Sequence, residues 1–172
     1  MKLDDDDFAL FDLPRTFAQD RENIDQRWKA LQSEVHPDRF AAVGGASQRL
    51  AMQWAVRVNE AHRRLRDPLS RAAYLCELLG APINAENNTA MPASFLMEQM
   101  EWREALDEAS DAAEVEALDD EVLKRERALQ EHIGKLLDEQ GDAEAASAEV
   151  RALMFITRFR EDINRRLEQL ES

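Results

Sequence analysis

The chain has a single cysteine, Cys76, among its 172 residues. No internal disulfide can form, and one thiol cannot hold an iron–sulfur cluster in the usual four-thiolate manner. Cys76 lies beside Leu75, Leu78 and Leu79, where a buried, inert thiol is expected. A reducing cytoplasm fits such sparse cysteine. Positive charge is scarce as well: 22 Lys+Arg stand against 36 Asp+Glu, a formal net charge of −14. Nucleic acid is disfavoured as a partner, because its backbone needs a basic surface, and so is an anionic membrane. No apolar run approaches the roughly 20 residues of a membrane span. The N-terminus, MKLDDDDF, is acidic where a signal peptide would be basic and then apolar. No histidine has a Cys or His at metal-ligand spacing, and no glycine-rich phosphate loop follows a strand. Neither metal nor cofactor is expected.

Alternating strand patterns are missing too; the periodicity is helical nearly throughout, which predicts an all-α fold. In 23–35, Ile24, Trp28, Leu31 and Val35 fall on one helical face, and in 47–65 Leu50, Trp54, Val58, Ala61 and Leu65 do the same. A connector from about His36 to Ala46 joins these two helices. A short helix is expected around DDDDFALF, its acidic run favouring the N-terminal dipole. A fourth spans PLSRAAYLCELLG, with Asp67 as its cap, Pro68 in its first turn and Gly80 at its end. Residues 81–92, APINAENNTAMP, read as a linker. Three further helices follow at 93–110, 114–140 and 142–171, Gly141 dividing the last two, and short connections imply an antiparallel bundle. The expected domains are therefore 1–80 and 93–172. Charge is split between them: residues 1–80 carry 12 basic and 13 acidic side chains, residues 81–172 carry 10 and 23. A near-neutral part and a strongly acidic one suggest two surfaces with different partners.

The connector holds HPDRF, residues 36–40. Pro37 stops the preceding helix, and long connectors on a rigid scaffold are where function concentrates. A four-helix domain with His-Pro-Asp between its second and third helices resembles the J-domain of J-protein co-chaperones. The stretch VNEAHRRLRDPLSRAAY (58–74) is similar to the end of many J-domains, through Asn59, Ala61, Leu65, Asp67, Pro68, Arg71 and Tyr74. Further on, FLMEQMEWREALDE (95–108) resembles the HscB-type J-protein of iron–sulfur cluster assembly. That resemblance implies an N-terminal J-domain followed by a C-terminal three-helix bundle. It also implies docking to a DnaK-like ATPase chaperone of the HscA type, whose ATP hydrolysis is stimulated. His36, Pro37, Asp38 and Arg39 would be contact groups rather than catalysts, with Arg27 and Lys29 as the basic face of the second helix. Pro37 fixes the backbone, and Asp38 can accept charge-assisted hydrogen bonds from a chaperone arginine. The competing structural reading is that Pro37 only ends a helix and His36 caps its carbonyls.

Helix 93–110 is apolar on two sides. At about 100° per residue, Phe95, Trp102 and Leu106 share a narrow arc, the expected core face. Leu96, Met97 and Met100 lie on the other side with Glu101, Glu104 and Glu108. A bundle helix needs one apolar stripe, so a second one marks either a partner or packing within the chain. In the resembled family this face holds an IscU-type iron–sulfur scaffold protein. Phe155 matches as well, at the edge of the last helix's core arc of Ile156, Phe159, Ile163, Leu167 and Leu170. His62 and His132 read as solvated side chains. Three functions compete. One is an adaptor bringing a scaffold to its chaperone; another is a general J-protein delivering unfolded polypeptides. The third, an enzyme using His36 or His62 as base, lacks a nucleophile, metal cluster or cofactor loop.

Overall fold

A computed structural model describes residues 2–40 and 44–171. The expected all-α class holds: among the described residues every regular element is helical. The elements are α1 (Asp7–Leu10), α2 (Arg21–Val35), α3 (Gly45–Arg66), α4 (Pro68–Leu78), α5 (Ala93–Glu108), α6 (Ala112–Gly134) and α7 (Ala143–Glu171). A 3₁₀ turn covers Pro37–Phe40, and a π turn, Lys135–Glu139, extends α6. Two compact units result, Met1–Leu75 and Cys76–Ser172, divided inside α4 rather than at the linker. Residues 81–92 fall in the second unit, where Arg151 of α7 holds them: its Nε donates to the Ile83 carbonyl at 3.0 Å and its Nη1 to the Ala90 carbonyl at 3.1 Å.

In the first unit α2 and α3 form an antiparallel hairpin. Their cross-links descend on one helix as they rise on the other: Trp28 Nε1 donates to Asn59 Oδ1 at 2.9 Å, and His62 Nε2 lies 2.7 Å from Asp25 Oδ1. Ile24, Val35, Val58, Ala61 and Leu65 are buried between them, as the helical faces predict. Leu50 departs from that expectation. It is 49% exposed, because it lies at the edge of the core arc and the residue that arc buries at the start of α3 is Ala51. The expected connector is also shorter than its sequence reading. Gly45 and Ala46 already belong to α3, Pro37–Phe40 is a turn, and residues 41–43 lie outside the described residues.

The acidic run does two things. Asp6 caps α1 through the Ala9 N–H at 2.9 Å. Asp7 is fully buried and binds two cations of α3: Arg64, with bonds of 2.6 and 2.8 Å, and Arg57, whose Nη1 sits 2.8 Å away as an ion pair without an aligned hydrogen bond. The segment 58–74 supplies the remaining ties. Tyr74 Oη accepts the Asp7 N–H at 2.9 Å, Arg71 donates to the Phe17 and Leu65 carbonyls, and Asp67 caps α4 through Ser70. Arg71 and Tyr74 thereby satisfy backbone groups that the fold would otherwise leave buried and unpaired.

In the second unit α4 closes in a Schellman motif. Gly80 takes φ +83°, the Ala81 N–H reaches the Cys76 carbonyl and the Gly80 N–H that of Glu77. α6 and α7 run antiparallel, paired by Asp119 with Arg160 and Glu149 with His132. α5 runs parallel to α7, since Phe95 meets Phe155 and Trp102 meets Phe159. The core is Phe95, Trp102 and Leu106 against Val115, Val122, Leu129, Ile133, Val150, Leu153, Ile156, Phe159 and Ile163. The expected helix 114–140 is regular only to Gly134. The wider π turn lets neighbours Leu136 and Leu137 both point inward, and Gly141 at φ +64° then reverses the chain.

Candidate functional site

The turn after α2 is built from its own residues. His36 leaves the helix with φ −58° and ψ 129°, the extended geometry that a following proline favours. Its carbonyl accepts the Arg39 N–H at 3.0 Å. Its ring Nδ1 accepts the Asp38 N–H at 3.2 Å, so a neutral ring carries its proton on Nε2. The His36 ring does not bond the end of α2. Arg39 does, donating to the Ser33 carbonyl at 3.1 Å, so the capping role considered for His36 belongs to Arg39. The side chains of His36 and Asp38 are 53% and 91% exposed, with Nδ1 and Oδ2 3.6 Å apart. A shallow groove of about 360 Å³ is lined by Lys29, Gln32, Ser33, His36 and Arg39. Lys29 and Arg39 thus join His36 on one face. Arg27 does not line that groove; its guanidinium lies 3.5 Å from Asp12.

The second face is on α5. Phe95, Trp102 and Leu106 are buried, whereas Leu96, Met97 and Met100 are 46%, 62% and 67% exposed. Glu101, Glu104 and Glu108 are exposed beside them. The inner side is anchored by aromatic contacts: Phe95 stands edge-on to Trp102 and Phe155 at 5.8 and 5.7 Å, and Phe159 stacks on both Trp102 and Phe155. Phe155 is half-buried in this cluster, with the Arg103 guanidinium 5.4 Å above its ring. Its exposed part borders α5, while most of its contacts are internal.

His62 corrects its sequence reading. Its side chain is only 13% exposed and stacks on Trp28 with ring centroids 4.1 Å apart and planes 10° from parallel. The hydrogen bond from His62 holds the Asp25 carboxyl below its ordinary range, against a smaller effect of burial and with help from Arg66. Helical periodicity could not reveal this cluster, because its partners come from two helices. His132 is half exposed, as expected, and pairs with Glu149 at 3.1 Å. Cys76 is buried, and desolvation pushes its thiol up to about 11, in keeping with an inert side chain. Among the described residues no group of three or more His, Cys, Asp and Glu is placed to hold a metal ion, and no helix is long and apolar enough to cross a membrane.

Relatives share this architecture. A family model for the HSCB C-terminal oligomerisation domain matches residues 91–164. A co-chaperone protein HscB homolog of Burkholderia multivorans is 51% identical over 175 residues, covering 100% of this chain and 99% of that protein. Among solved structures, chaperone HscB from Vibrio cholerae superposes with a TM-score of 0.83 at 34% identity, over 96% of this chain and 99% of that one. Human co-chaperone protein HscB gives 0.89 at 28% identity, over 100% of this chain and 86% of that one. With a J-domain bearing its His-Pro-Asp turn, a C-terminal helical domain, and half-identical relatives along its whole length, the chain belongs to the HscB co-chaperone family.

Proposed function

We propose that this chain is an adaptor for iron–sulfur protein maturation in the cytoplasm. Its α5 face binds an IscU-type scaffold. Its His36–Arg39 turn docks on a DnaK-like chaperone of the HscA type and stimulates that chaperone's ATPase. The observation that carries the reading is the two-sided α5. One side is anchored by aromatic packing, and the other leaves Leu96, Met97 and Met100 exposed beside three glutamates. Exposed apolar side chains next to charge suit a protein interface, and methionine adapts its shape to a partner. The turn supplies the other half: Asp38 projects into solvent with its acceptor oxygens available for an arginine, and Lys29 and Arg39 add positive charge beside His36. All of these are docking groups, and the chemistry of ATP hydrolysis stays with the chaperone.

The test is steady-state ATPase turnover of the matching chaperone, with scaffold and this protein each added or omitted. Both together should stimulate more than either alone. His36→Gln should abolish the contribution of this protein while leaving helicity and scaffold binding unchanged. Normal stimulation by the folded variant would overturn the assignment of the turn. Retention of a mixture of unfolded chains in place of one folded scaffold would overturn the assignment of α5.

A further inference from the structure

The α2–α3 hairpin has an outer face that the adaptor reading does not use. Taking α3 at about 100° per residue, its buried residues Ala51, Val58, Ala61 and Leu65 share one arc. Arg49, Met52, Gln53, Val56 and Glu60 fall within about 100° of each other on the opposite side. Met52 and Val56 are 55% and 59% exposed. Arg49, Gln53 and Glu60 are exposed as well. Leu3 lies alongside, where Arg57 holds its carbonyl at 3.2 Å, and with Met52, Gln53, Val56, Arg57 and Glu60 it lines an open groove of about 430 Å³. An amphipathic helix needs one apolar stripe, and here the second consists of large side chains in a row.

The order of residues in this stripe identifies the occupant. It begins with a cation, Arg49, carries its apolar pair in the middle and reaches an anion, Glu60, one turn before the exposed Arg63. In two antiparallel helices related by a two-fold axis, each residue faces one whose number makes a constant sum with its own. With the axis between residues 54 and 55, Arg49 faces Glu60 of the second copy, Gln53 faces its Val56 and Met52 faces its Arg57. One register therefore satisfies both charge pairs and brings Met52 and Val56 of both copies to the same seam. That self-complementarity is what a two-fold homodimer contact requires. We propose that the α3 outer face is a self-association surface, which joins two copies of this chain through antiparallel α3 helices. It lies outside residues 91–164, to which the C-terminal oligomerisation model refers. The contact uses about three turns of one helix and falls below the roughly 800 Å² per partner of a stable interface, so the dimer is weak and reversible.

Sedimentation of the full chain over a rising concentration series tests this. The wild type should shift from monomer toward dimer, and Val56→Glu should stay monomeric with unchanged helicity. Arg49→Glu and Glu60→Arg, alone, each place two like-charge pairs across the axis and should weaken self-affinity by about tenfold. The double variant Arg49→Glu with Glu60→Arg restores opposite charges and should recover the wild-type affinity. A wild type that stays monomeric at every concentration would overturn the proposal. So would a dimer indifferent to Val56→Glu, which places the contact elsewhere, or a double swap no tighter than the singles, which removes the antiparallel register.

Discussion

Single side chains decide more of this molecule than their positions in the sequence announce. Asp7 sits in a run of four aspartates that looks like a helix-dipole device, yet it is buried between Arg57 and Arg64. His62 sits in a charge-rich stretch, yet it closes the α2–α3 hairpin against Trp28 and Asp25. Neither role shows in the sequence, because periodicity describes one helix at a time and these partners come from another. The Asp25 contact has a defined pH signature. Its carboxyl is held below the ordinary 3.8 by the His62 hydrogen bond, with Arg66 and Arg21 adding positive charge nearby. A carboxylate lowered on folding contributes stability that is complete above its unfolded value and is lost as the pH falls through its folded one. Asp25→Asn should therefore be destabilised by a nearly constant amount well above 3.8, and the gap to wild type should close as the pH falls below 3.8. Thermal melts across that window check this. Parallel curves for the two proteins would show that the contact adds nothing through ionisation.

At the level of the element, α5 was the most legible part of the chain. Its two apolar arcs follow from spacing alone, and the structure buries one and exposes the other. The same wheel put Leu50 in the core, yet the residue buried at the start of α3 is Ala51 and Leu50 stays exposed at the edge of the arc, so the centre of a face can be read from sequence but its neighbours cannot. Phe155 shows the same gap. Its place at the edge of an arc was readable, but its ring contacts with Phe95 and Phe159 were not. This separates two substitutions that would otherwise be grouped. Leu96→Ala with Met100→Ala should leave the melting temperature almost unchanged and weaken scaffold binding by about 3 kcal/mol, roughly a hundredfold. Phe155→Ala removes a half-buried aromatic partner and should cost about 2 kcal/mol of unfolding free energy, whatever it does to binding. Glu101, Glu104 and Glu108 lie beside the apolar centre, so neutralising them should slow association and reduce its salt dependence more than it changes dissociation. Titration calorimetry and chemical unfolding on the same samples separate the cases. If the Leu96 and Met100 pair loses stability while the folded fraction binds normally, α5 carries its second stripe for packing and not for a partner.

For the whole molecule, the question is whether the two proposed docking functions are separable. Composition already hinted that they are: the charge imbalance sits almost entirely in residues 81–172. What composition could not show is that the linker is held by the unit that follows it, through Arg151 and the carbonyls of Ile83 and Ala90. A fragment 81–172 retains that clasp and the whole aromatic cluster, and roughly 90 residues of amphipathic helix can bury a core of their own. It should fold cooperatively, bind the scaffold as tightly as the full chain does, and leave the chaperone's ATPase at its basal rate when added alone. Added in excess to a reaction containing full-length protein, it should inhibit, because it occupies scaffold without presenting a His36–Arg39 turn. The inhibition should be relieved by more scaffold and not by more chaperone, and that pattern identifies which partner the fragment removes. If Arg151→Ala in the fragment leaves folding intact but makes residues 81–92 rapidly cleavable by protease, the clasp acts on the linker alone. An unfolded fragment, or a folded one that cannot compete, would mean that the scaffold surface requires residues of the first unit and that the two activities cannot be divided.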